Sequence, residues 1–189
     1  MFEIVKRDIQ RYVKTENIQN RRDLIELFMF NESVWYILVY RFGSWVRTEC
    51  NVPLLKPLLK IFTKILNKFL SLLTGYQIPF GTKIGAGLYI GHAGYLVINS
   101  KAVIGENCNL SVGVIIGEGG RGDSKGSPIL GDFVYVAPGA KIIGKIRVGN
   151  NVAVGANAVV VKDVPDGMSV AGVPAKIVND RGSSGLIQV

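Results

Sequence analysis

Two hydrophobic periods divide the chain. Between Arg22 and Thr74 apolar residues recur at spacings of three and four, as in "RRDLIELFMF" and "ESVWYILVYRFGSWVR", the spacing of amphipathic or buried helices. The stretch "NVPLLKPLLKIFTKILNKFLSLLTG" is the clearest: Pro57 suits a first helical turn and Gly75 a C-terminal cap. Lys56, Lys60, Lys64 and Lys68 fall four apart and make one stripe along such a helix, with Leu58, Leu59, Phe62, Ile65, Leu66, Phe69 and Leu73 over the other faces. Two readings stand: a core or oligomer helix with a wet lysine edge, or an interfacial helix lying on anionic lipid.

After Gly75 the period becomes six. An aliphatic residue recurs at Leu130, Val136, Ile142, Val148, Val154 and Val160 without a slip, and an earlier block places Ile84 and Ile90, then Ile98, Ile104, Leu110 and Ile116, in the same step. The next residue is often glycine (Gly85, Gly91, Gly105, Gly131, Gly149), and the position four on is small or β-branched (Ala102, Cys108, Val114, Val134, Ala140, Val152, Ala158). Neither a helix nor an alternating strand has a period of six. Stacked triangular coils of three short strands do, with the aliphatics inside. The expectation is a mainly β protein: a parallel β-helix of hexapeptide repeats over residues 76–189, preceded by an N-terminal α-helical region over 1–75.

The period fails twice. From Ile90 to Ile98 the step is eight, and the two extra residues sit beside His92, the only histidine of the chain. From Ile116 to Leu130 it is fourteen, across "IGEGGRGDSKGSPI", too polar and glycine-rich to pack inside and so expected to project as a loop. Insertions in a solenoid gather on one face, where function collects. The pattern G-x-G-x-x-G at Gly117, Gly119 and Gly122 lacks the following helix of a dinucleotide fold. A glycine-rich loop bearing Arg121 and Lys125 still suits a phosphate.

Composition narrows this further. A net charge of +8 favours polyanions (nucleic acid, anionic lipid or a phosphate-bearing ligand) without choosing among them. Two cysteines, Cys50 and Cys108, make no disulfide framework and suit a reducing compartment. "MFEIVKRDIQ" has no apolar signal core, and no run reaches the roughly 18 uncharged apolar residues of a membrane span. A cytoplasmic protein is expected, with the basic helix available for peripheral contact at the inner face of an anionic membrane and no nucleic-acid partner.

The stretches "GTKIGAGLYIGHAG", "AVIGENCNLSVGVIIG", "APGAKIIGKIRVGNNVAVGANAVVVKDVP" and "VAGVPAKIV" resemble the hexapeptide-repeat acyltransferases, and among them the serine O-acetyltransferase type. "LVYRFGSWV" resembles the helix that precedes their coil. The resemblance implies a left-handed β-helix, a homotrimer, and acetyl-CoA as co-substrate held in the groove between neighbouring coils, with no metal. It makes His92 the general base. Imidazole, near neutral in pKa, suits removal of a hydroxyl proton as the oxygen attacks a thioester. It puts Gln77 where the family carries the carboxylate that orients this base. It places Ala137 and Ala156 along the pantetheine arm and Lys162 and Lys176 near the adenosine phosphates, with Gly117 also among the cofactor-binding residues. A γ-type carbonic anhydrase shares the coil but needs three zinc-binding histidines, which one histidine excludes.

Departures from the family bear on the acceptor. Its serine-binding aspartate is Gly91 here, and its carboxylate-gripping "D-R-H-P" loop becomes Lys125, Gly126, Ser127 and Pro128. "GHAGYLVINS" is more similar to the short colanic-acid type of polysaccharide O-acetyltransferase. The expectation is therefore transfer to a sugar or polysaccharide hydroxyl in capsule-type biosynthesis, with Asn99, Ser100 and Ser127 holding a glycan acceptor. The alternatives are a serine O-acetyltransferase and a non-catalytic trimeric binding scaffold.

Overall fold

The computed structural model describes all residues, 1–189. Four helices lead: α1 (Phe2–Thr15), α2 (Arg21–Phe30), α3 (Glu32–Thr48) and α4 (Leu55–Thr74). Asn20 caps α2 by accepting from the N–H groups of Arg22 and Asp23, and Asn31 caps α3 by accepting from Val34. Gly75, at φ 76°, ends α4 in the left-handed conformation. None of these helices is long and apolar enough to cross a membrane.

Fifteen short strands follow, numbered in chain order, and they stack as three parallel faces. The first holds β1 (Tyr76–Gln77), β4 (Leu96–Ile98), β7 (Ile115–Gly117), β10 (Lys141–Ile143) and β13 (Val159–Val160). The second holds β2 (Lys83–Ile84), β5 (Val103–Ile104), β8 (Ile129–Leu130) and β11 (Arg147–Val148). The third holds β3 (Tyr89–Ile90), β6 (Asn109–Leu110), β9 (Tyr135–Val136), β12 (Ala153–Val154), β14 (Ser169–Gly172) and β15 (Ala175–Asn179). Every ladder is parallel except β14–β15, a hairpin that turns back on the last coil. Chain order runs through the faces in rotation, so this is a parallel β-helix. Each repeat aliphatic from Ile84 to Val160 is buried, and so is each small residue four positions after it. The glycines after the aliphatics have one clear cause. Gly85, Gly105, Gly131 and Gly149 stack along the edge between the second and third faces, where a Cβ on any of them would run into the coil above.

The helices close the open end of the coil with polar side chains. Asp8 of α1 accepts from the N–H groups of Gly87 (2.8 Å) and Leu88 (2.9 Å), and pairs with Arg41 of α3 at 2.7 Å, both side chains buried. Arg41 also donates to the carbonyls of Ile84 (2.7 Å) and Gly85 (2.6 Å). Arg11 donates to the Gly87 carbonyl and to the Asn109 side chain. Tyr40 donates to the Thr82 carbonyl, and Tyr36 accepts from the N–H of Ile78. Edge groups that would otherwise be unpaired are thus satisfied, which is what burying a sheet edge demands. Helix α1 lies outside the segment whose sequence period pointed to helices, although Val5, Ile9, Tyr12 and Val13 carry the right spacing.

Candidate active site

The first coil is where the six-residue period fails, and the register shows which residues are extra. The N–H of Gly91 bonds to the Leu110 carbonyl and that of Gly113 to the Tyr95 carbonyl, while Val97 pairs with Ile115. Gly91 therefore matches Ser111 and Gly94 matches Val112, which leaves His92 and Ala93 without counterparts in the next coil. The histidine is itself the insertion. It sits at φ 56°, a left-handed backbone that costs a side chain with a Cβ about 1–2 kcal/mol.

Two tyrosine side chains, Tyr76 of β1 and Tyr12 of α1, hold this turn. The Tyr76 hydroxyl donates to the His92 carbonyl at 2.9 Å and lies 2.6 Å from Ser33 Oγ at the start of α3. Tyr12 of α1 bridges both backbone groups of Ile90, accepting from the N–H (3.0 Å) and donating to the carbonyl (3.1 Å). Burial pushes the Tyr76 hydroxyl up to about 12, so it stays a proton donor at neutral pH. With its main chain fixed, the imidazole of His92 is left exposed and makes no hydrogen bond.

That imidazole lines a cleft of about 550 Å³ between the coil and the helices. Its other walls include Tyr89, Asn31, Ser33 and four carboxylates, Glu16, Asp23, Glu26 and Glu32. In a chain of net charge +8 this is a locally acidic notch. Tyr89 donates to Glu16 Oε1 at 2.7 Å, and burial raises the Tyr89 hydroxyl well above its ordinary value. The cleft thus brings together an imidazole, hydrogen-bonding groups and negative charge. Cys108 offers no competing nucleophile: it is buried inside the coil and its thiol is pushed up to about 12.

The other residues singled out in the sequence sort onto separate edges. Gln77 does not meet His92. In β1 Tyr76 turns inward and Gln77 outward, into a groove beside α4 with Lys64, Asn67 and Lys68. The expected glutamine–histidine contact is therefore absent from this chain, and the turn is held by Tyr76 instead. Ala137 and Ala156 follow β9 and β12, on the same edge of the coil as His92. Gly117, Asn99, Ser100, Ser127 and Lys162 lie on the opposite edge of the first face, and Lys176 is exposed on β15. A three-residue strand separates the two edges, roughly 10 Å. Ser127 donates to the Asn99 side chain at 3.0 Å, which also accepts from the Lys101 N–H, so the pair closes the base of the loop. The loop projects as expected. Gly119 and Gly126 exchange backbone hydrogen bonds at 3.0 Å, and Glu118 pairs with Lys101 and Lys125.

The coil is left-handed, and this fold, a parallel β-helix preceded by helices, is shared with solved serine acetyltransferases. No family model matches the chain. It is 36% identical over 124 residues to a serine acetyltransferase from Synechococcus elongatus, covering 66% of this chain and 51% of that one. Among solved structures, a serine acetyltransferase from Brucella abortus in complex with coenzyme A matches with a TM-score of 0.78 at 27% identity, over 95% of this chain and 68% of that one. A serine acetyltransferase from Neisseria gonorrhoeae in complex with serine matches with a TM-score of 0.76 at 25% identity, over 94% and 68%. The chain spans about half the length of the curated relatives it matches.

These relatives overturn the expected glycan acceptor and the capsule-type role: they are serine acetyltransferases, one of them solved with serine. The structure supplies the physical reason. The preference for a neutral sugar rested on charges missing at Gly91, Gly126 and Ser127, whereas the carboxylates beside His92 come from the helices. Asn99 and Ser127, expected to hold a sugar, are bonded to each other on the far edge.

Proposed function

We propose that this chain is an acetyl-CoA-dependent O-acetyltransferase whose acceptor is the hydroxyl of serine. One observation carries the reading: the inserted His92 stands at the mouth of a cleft lined by four carboxylates. The serine ammonium is attracted to that wall, since a charge taken out of water needs a partner. His92 removes the hydroxyl proton as the oxygen attacks the thioester carbonyl. The new C–O bond forms, the C–S bond breaks, and the proton passes to the departing coenzyme A sulfur. Transfer is direct, with no acyl-enzyme. Ala137 and Ala156 border the pantetheine arm along the His92 edge, while Lys162 and Lys176 meet the nucleotide phosphates by charge-assisted bonds.

A homotrimer completes the site. A neighbouring copy brings the opposite edge, with Gly117 and the Gly117–Pro128 loop, against the His92 edge. Arg121, which forms no salt bridge within the chain, then supplies positive charge for the serine carboxylate. The working compartment in this reading is the cytoplasm.

The test is His92→Ala, which lowers kcat about 10²–10⁴-fold while acetyl-CoA affinity, measured by calorimetry, stays unchanged. Coenzyme A release is followed with L-serine and with an uncharged hydroxylated acceptor at equal concentration. Undiminished turnover by the variant overturns the assignment of the base. Absence of serine-dependent release by the wild type overturns the acceptor.

A further inference from the structure

We infer that the outward face of α4 is a docking surface for an anionic lipid bilayer. The helix packs on one side only, where Thr63, Leu70 and Thr74 are buried. On the opposite side Leu58, Ile61, Ile65, Phe69 and Leu72 are each more than half exposed. Their steps of three and four place them in one continuous strip along the helix. A contiguous apolar strip of this size on a water-facing helix marks a binding surface.

The charge beside the strip selects the occupant. Lys60, Lys64 and Lys68, all exposed, run along one flank, continuing the stripe begun by Lys56. No aspartate or glutamate stands between Glu49 and Glu106, so the helix carries no counter-charge of its own. Two copies packed face to face through α4 would bring lysine against lysine with no acid in the helix to neutralise them. An anionic bilayer satisfies both features together: the apolar strip enters the boundary between headgroups and acyl chains, and the lysines meet lipid phosphates. Because α4 cannot span the membrane, it lies in the plane of the surface. This inference goes beyond acetyl transfer and does not rest on it.

The experiment uses the full chain and vesicle flotation. Vesicles of mixed phosphatidylcholine and phosphatidylglycerol carry the protein upward at low salt, and vesicles of phosphatidylcholine alone do not. Each lysine at an anionic surface contributes a factor of about five in partitioning, so K60Q/K64Q lowers the partition coefficient about 30-fold. I65S/F69S abolishes the binding that survives at raised salt. Both pairs are solvent-facing, and a melting curve confirms that each variant is folded. Three results overturn the inference: wild-type protein that stays in solution beside the anionic vesicles, undiminished binding by either variant, or sedimentation velocity without lipid showing an assembly of copies that I65S/F69S disperses.

Discussion

The coil and the helices that close it are held together by opposite means. Inside the coil, stability comes from one repeated operation: an aliphatic side chain every sixth residue, buried to completion and stacked on its copy in the next turn. Where helices meet coil, the buried groups are Asp8, Arg11, Arg41 and the hydroxyls of Tyr12, Tyr36, Tyr40 and Tyr76. The first arrangement tolerates exchange among aliphatics of similar volume. The second does not, because each polar group is there to satisfy a particular edge atom, and removing one strands its partner. The difference locates the vulnerable joint of the molecule beside His92, which is held by Tyr76 from within that polar layer.

The sharpest way to break the contrast is Asp8→Ala. It leaves Arg41 buried without a counter-charge and frees the N–H groups of Gly87 and Leu88. The expected loss is about 3–5 kcal/mol in denaturant unfolding. The exposed pair between Arg7 and Glu106 serves as control, and Arg7→Ala costs less than about 1 kcal/mol. Comparable losses in both variants would mean that the buried pair has no special role.

Alkaline titration comes next. Burial pushes Tyr40 and Tyr76 up to about 12, and Tyr12 well above its ordinary value. The unfolded chain releases these protons near pH 10, so folded protein binds more protons above that point. Their contribution is complete below about pH 10 and is lost as pH rises from about 10 to about 12, roughly 2–3 kcal/mol for each of Tyr40 and Tyr76. All four fully buried tyrosines lie at the joint. Helical packing, followed by near-ultraviolet circular dichroism, is therefore lost before the β signal of the coil. Simultaneous loss of both signals would place the tyrosines' influence across the whole fold.

Which parts were legible in the sequence follows from the same division. A period of six announces itself in one chain because every coil repeats it, and the parallel β-helix was readable on that ground, while its left hand came only from the family resemblance. The joint is not periodic. Asp8 and Arg41 stand 33 positions apart, and each looks like an ordinary surface charge until the fold brings them together, so the helical region was expected but the part α1 plays in closing the coil was not. The interruption beside His92 was visible as a count, but only the register shows that His92 and Ala93 are the extra residues. The acceptor was misjudged because charge was sought at Gly91, Gly126 and Ser127. The carboxylates lining the cleft lie in the helical half, at Glu16, Asp23, Glu26 and Glu32, and no spacing rule links them to a histidine so far along the chain.

The smallest effect sharpens the view from the coil side. Gly105→Ala would drive a Cβ into the Gly131 carbonyl and the Asp132 carboxylate of the next coil. The expected cost is about 2 kcal/mol in thermal unfolding. At Gly91 the added carbon meets only the Tyr89 ring at 3.4 Å, so Gly91→Ala changes stability by less than about 0.5 kcal/mol. Equal effects would show that the glycine column is not packed as tightly as its geometry requires.

The antiparallel hairpin of β14 and β15 has a consequence for assembly. A solenoid with bare ends is a template, and another molecule can continue its ladders indefinitely, as in a fibre. Here one end is stoppered by helices and the other by a strand running the wrong way for propagation. Growth along the coil axis is blocked. Contacts between copies are thereby directed to the flanks of the coil, where a head-to-tail contact gives a closed ring when its rotation closes.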